Sequence, residues 1–203
     1  MTTSAVPTAD RSDFRNVLTS GTLVGVITGI GVVAFVAISR LLPAGLPRDV
    51  LESVLVLVGC VAVSLLPGQR AVSRTAEGVA GAAAIGLWGT VVFMAFDIVL
   101  LRPFKAYPWT WDAIGGGSTW WYLPIWWMLG TFLAWMGGLL TAARNARGAA
   151  TPAQVALPVV VGAVVLSAAG KVLGCPVPLA ALTGAAYTVT LAALAVFFNA
   201  RKA

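Results

Sequence analysis

Apolar residues run along this chain in long unbroken blocks separated by short polar punctuation. They do not follow the i, i+3, i+4 spacing of a helix with one wet face. Six blocks stand out. The first covers 22–42 and ends before PAGLPR; the second, 50–66, is stopped by PGQR. The third, 78–101, is stopped by RPFK, and the fourth, 119–141, by ARNARG. The fifth covers 153–170 and the sixth 178–198, which is stopped by NARKA. The last two are joined by KVLGCPVP, a turn whose prolines bar one continuous helix. A run of about 18 apolar residues is long enough to cross a bilayer as a helix. The pattern predicts an all-α integral membrane protein, a six-helix bundle, in which the second and fifth spans are close to the lower length limit.

The polar, Thr/Ser-rich start, residues 1–18, reads as a loosely ordered cytoplasmic tail, and 19–203 as a single transmembrane domain. The first block exceeds a signal-peptide core and lacks a small-residue cleavage site, so it reads as a retained span.

Composition agrees with the blocks. Of 203 residues, 59% are hydrophobic and 10% charged, whereas a soluble domain carries about 25% charged residues. The net charge of +6 comes from bases lying in the short loops, not from a basic stripe that would track nucleic acid. With the N-terminus inside, the inner segments hold eight of the thirteen bases: Arg11, Arg15, Arg70, Arg74, Arg144, Arg147, Arg201 and Lys202. The outer segments hold Arg40, Arg48, Arg102, Lys105 and Lys171. That bias places both termini in the cytoplasm of a bacterial inner membrane.

Small residues recur at four-residue spacing: Gly21, Gly25 and Gly29; Gly78, Ala82 and Gly86; Gly130, Ala134 and Gly138. Each set forms a stripe down one helix face, which lets backbones approach closely. Packing within the chain is the plainer use; an interface with a membrane-protein partner or a second copy is the other.

One stretch holds six of the eight tryptophans, PWTWDAIGGGSTWWYLPIWWM, starting at Pro108. Pro108 suits the first turn of a helix and Gly115 its end, so a short extracytoplasmic interfacial helix is expected between the third and fourth spans. Trp109, Trp111, Trp120, Trp121 and Trp127 fit a belt at the headgroup level. Their concentration around one loop beside Asp112 also suits a pocket wall or a docking surface. Asp97, inside the third block and five residues before Arg102, is the best single candidate for a functional charge. Lys171 could reach it or Asp112 across helices. Asp49, Glu52 and Glu77 read as charges that favour helix starts.

The chain has no histidine, so histidine-ligated haem, His-rich copper and zinc sites, Ser-His-Asp hydrolysis and His proton relays are excluded. Cys60 lies mid-block and Cys175 in a turn, depths at which they do not pair. GGGS lacks the Lys-Ser/Thr ending of a phosphate loop. No catalytic motif, metal site or cofactor is expected, and the partners are the lipid bilayer and a membrane assembly. In size, span number and side of the termini the chain resembles the substrate-binding membrane subunits of energy-coupling vitamin transporters, in architecture and without a shared motif. That resemblance implies that a bundle of this shape can hold a small solute. The leading expectation is a non-enzymatic accessory or structural subunit that associates through its Gly/Ala faces and Trp-rich outer surface. The alternative is a small-solute binding or transport protein with its site at Asp97, Asp112 and the tryptophans.

Overall fold

The computed structural model describes residues 11–101, 122–148 and 151–200. Helices account for nearly all of them: α1 (Phe14–Leu41), α2 (Leu46–Arg70), α3 (Ala76–Phe96, extended by a π-helical turn, Asp97–Leu101), α4 (Tyr122–Asn145), α5 (Pro152–Val172) and α6 (Leu179–Ala200). All six are long and apolar enough to cross a membrane, and no strand occurs among the described residues. The protein is a multi-span, all-α membrane protein. The stretch expected to form the interfacial helix falls outside the described residues.

Local chemistry explains the boundaries. The Asp13 carboxylate accepts from the Asn16 N–H at 3.0 Å and starts α1 inside the segment expected to be tail. Arg11 N–H donates to the Ala71 carbonyl (2.8 Å), and the Asn16 amide donates to the Arg70 carbonyl (3.1 Å), tying the start of α1 to the end of α2. At the head of α5, Thr151 and Gln154 form a reciprocal capping box. Between α5 and α6, Gly174 takes a left-handed φ of +76°.

The expected end of the second span needs correction. PGQR does not stop the second span: α2 runs through Pro67 to Arg70 and is 25 residues long, not short. Proline removes one hydrogen bond to the residue four earlier, and in the last turn of a buried helix that is tolerated. Pro67 is fully buried, and its own carbonyl accepts from Ala71 N–H at 2.9 Å. The chain turns instead at Val72, a β-branched residue at φ +52°. The turn is clamped from within, where Ser73 Oγ donates to the Gly78 carbonyl, and from α4, where Asn145 donates to the Ser73 carbonyl.

The helices form two layers. α1, α2, α6 and α5 make a row, and the α3–α4 pair lies across it, with α3 packed on α1 and α4 on α2 and α6. The main core joins Leu65 of α2, Leu133, Met136 and Leu140 of α4, Val159 of α5, and Tyr187 and Leu191 of α6. Tyr187 is fully buried, its hydroxyl 2.7 Å from Ser64 Oγ. Ser64 spends its own proton on the Cys60 carbonyl (2.7 Å), so Tyr187 is the donor.

The glycine stripes close the seams between these helices. Gly21 and Gly25 lie against Trp88 and Val92 of α3, and Gly29 against the Phe96 ring. Gly86 and Gly130 face each other across α3 and α4, beside Ala134 and Thr90, while Gly138 meets Ala82. Gly78 is buried at the start of α3. These faces are occupied within the chain, so they are not open to another protein. Spacing alone shows that a face packs closely, not whether its neighbour belongs to the same chain.

Candidate functional site

The two ends of the bundle differ. One carries the start of α1 and the end of α6 and is called here the terminal end; the far end carries the α1–α2 turn and the π turn after α3.

At the far end, Glu52 lies in the second turn of α2 and is only 8% exposed. It accepts from Ser39 Oγ on α1 at 2.6 Å and from Arg48 Nε at 2.8 Å. It is therefore a cross-helix lock, not a helix-start charge; Asp49, three residues earlier, occupies the first turn. Sequence reasoning missed this role because the partner Ser39 becomes adjacent only once α1 and α2 fold as a hairpin.

Asp97 is 3% exposed and opens the π turn, with Phe93 and Leu101 buried on either side in sequence. Lys171 is not its partner. The Lys171 ammonium donates to the Val177 carbonyl at 2.7 Å and closes the α5–α6 turn. Trp127 is 40% exposed on α4. Its neighbour Trp126 turns edge-on to Phe93, with centroids 6.3 Å apart and planes at 74°. Trp109, Trp111, Asp112, Trp120 and Trp121 lie outside the described residues.

The terminal half holds a feature that sequence reasoning passed over. A groove of about 610 Å³ runs between α3 and α4. Its α3 wall is Ala76, Val79, Ala80 and Ala83; its α4 wall is Thr131, Trp135, Leu139 and Ala142. Arg74 and Thr75 stand at the mouth, and Asn199 of α6 closes one side. Alanines on α3 leave the recess; Trp135, near the middle of α4 and 47% exposed, raises its opposite rim. The Asn199 amide is spent on the Leu139 and Ala195 carbonyls. Beyond the mouth, the Arg144 and Arg147 guanidinium carbons each lie 4.6 Å from the centroid of the Phe198 ring. Arg144 Nε is buried and has no hydrogen-bond partner among the described residues. The available signals were the Ala76, Ala80, Ala83 spacing and a tryptophan placed mid-span, away from the headgroup belt.

Among the described residues, no three His, Cys, Asp or Glu side chains gather where they could hold a metal ion. No family model matches this chain, and neither a curated protein nor a solved structure is significantly similar to it. The class defined by the fold is therefore a multi-span membrane helix bundle.

Proposed function

We propose that this protein is a non-enzymatic accessory or structural subunit of a larger assembly in a bacterial inner membrane, with both termini in the cytoplasm. The observation that carries the reading is the closed interior. Where α2 crosses α4, a Cβ built on Gly137 would fall on the Ser64 carbonyl. A solute path between these helices would need space where two backbones touch. The interior hydroxyls of Ser64, Thr90, Thr141 and Ser167 each bond a carbonyl of their own helix and do not line a polar track. Because the glycine stripes are filled from within, docking falls to the Trp-rich far end. The excess of arginine at the terminal end supports the orientation.

The test is site-specific photo-crosslinking in native membranes from Trp111 or Trp120, with Val165 on the outer face of α5 as the control position. One protein captured at fixed stoichiometry from the tryptophan positions, and not from Val165, is the expected result. A lone 20.9 kDa chain carrying a defined small molecule and crosslinking only to lipid would overturn the reading. The solute-binding alternative draws on the burial of the Asp97 carboxyl. It requires that Asp97→Asn abolish retention of that molecule while the bundle stays folded.

A further inference from the structure

The α3–α4 groove has the dimensions and charge of a lipid site. Its α4 wall, from Thr131 to Ala142, covers twelve residues, or about 16 Å of helix rise. That matches one leaflet, about half of a 30 Å hydrocarbon core. The walls along that length are apolar, with Thr131 at the deep end and Arg74 with Thr75 at the end where headgroups lie. The recess is narrow, walled by alanines on one side and by Trp135 and Leu139 on the other, a shape that suits a thin, flexible chain.

The terminal end is strongly basic, and Arg74 stands at the mouth itself. Arg70, Arg74, Arg144 and Arg147 gather at this end without an ion pair to any described carboxylate. Glu77, the nearest acid in sequence, accepts from Ser12 Oγ at 2.8 Å. Arg144 and Arg147 share one aromatic ring, which leaves two like charges at most about 9 Å apart. A phosphate at the mouth would give the exposed Arg74 guanidinium an acceptor that its planar fork suits, with the charges of Arg144 and Arg147 beyond it.

We propose that this groove seats an acyl chain of one anionic glycerophospholipid from the leaflet on the terminal side. Arg74 holds the phosphate, and Trp135 covers the chain. The assignment is independent of any protein partner at the far end.

Native mass spectrometry of the purified protein, titrated with phosphatidylglycerol or phosphatidylcholine, tests it. The wild type is expected to retain one phosphatidylglycerol in preference to phosphatidylcholine. Arg74→Gln should reduce that preference about tenfold, the size of one hydrogen bond between charged groups. Ala80→Leu, which fills the groove, should remove the retained lipid of either kind, whereas Ala168→Leu on the outer face of α5 should change nothing. Retention that is equal in wild type, Arg74→Gln and Ala80→Leu would overturn the proposal, as would a peptide or protein found in place of lipid. If Ala80→Leu lowers the melting temperature, Arg74→Gln decides alone, because Arg74 is exposed and its loss leaves the packing intact.

Discussion

Gly137→Ala is the sharpest test of how this bundle holds together. The new Cβ would stand 2.5 Å from the Ser64 carbonyl carbon and nearer still to its oxygen. Ordinary contact begins at 3.4 Å, so α2 and α4 must part by at least 0.9 Å there. The obstacle is backbone, and no rotamer change can relieve it. A gap of 0.5–1 Å forfeits about a quarter to a half of each dispersion contact along the seam. The seam includes Leu65 against Leu133, Met136 and Leu140, and it carries the Tyr187–Ser64 hydrogen bond. Overpacking of this kind costs about 1–3 kcal/mol, and the rigid obstacle puts Gly137→Ala at about 3 kcal/mol. Gly59→Ala, on the same α2 helix with nothing within 4 Å, is the control. It should be neutral or stabilise by up to about 1 kcal/mol through helix propensity. Unfolding of both purified variants by added SDS in mixed micelles reads the difference. If the two fall within about 1 kcal/mol of each other, the close crossing of α2 and α4 is refuted.

Two further substitutions probe the ends. Val72→Gly should raise the unfolding midpoint by about 1 kcal/mol equivalent, because Val72 holds a left-handed backbone that its branched side chain disfavours; an unchanged or lower midpoint would show that the turn is unstrained. Arg48→Met should destabilise by about 1–2 kcal/mol by leaving Glu52 charged with only the Ser39 hydroxyl, and adding Glu52→Gln should recover most of the loss. Equal stability for the single and double variants, measured by the same titration, would mean that the pair is screened.

The spans were legible because a bilayer demands a long apolar block, a requirement that leaves a mark on the sequence whatever the packing. The end of α2 was not, because Pro67 is disfavoured by its own helix and tolerated for its surroundings: it is fully buried beside Gly68, which meets Gly138 and Thr141 of α4. Glu52 shows the same limit. At the start of an apolar block it looks like Asp49, and only the α1 partner separates the two. The groove was hidden for a third reason. Ala76, Ala80 and Ala83 are small residues one helical face away from the Gly78, Ala82, Gly86 stripe. One set meets another helix and the other lines the open groove, a difference that lies in the neighbours and not in the residues themselves.

The position of α5 constrains how the protein can be made. It packs closely on α6, where Gly162 meets Thr190 and Gly170 meets Leu182, and touches α2 and α4 only lightly. In order of synthesis, every other span after the first emerges beside an earlier helix that it binds closely; α5 precedes its partner. It must therefore wait in lipid as a lone span until α6 is translated. Its stretch from Val155 to Gly170 suits that wait, since Ser167 is the only polar side chain in it and bonds the Ala163 carbonyl of the same helix. The last two spans would then join as a hairpin, with Tyr187 of α6 finding a ready acceptor in Ser64 on an assembled α1–α4 unit. A ribosome stalled before α6 should leave that four-helix unit complete and α5 beside it, inserted but undocked.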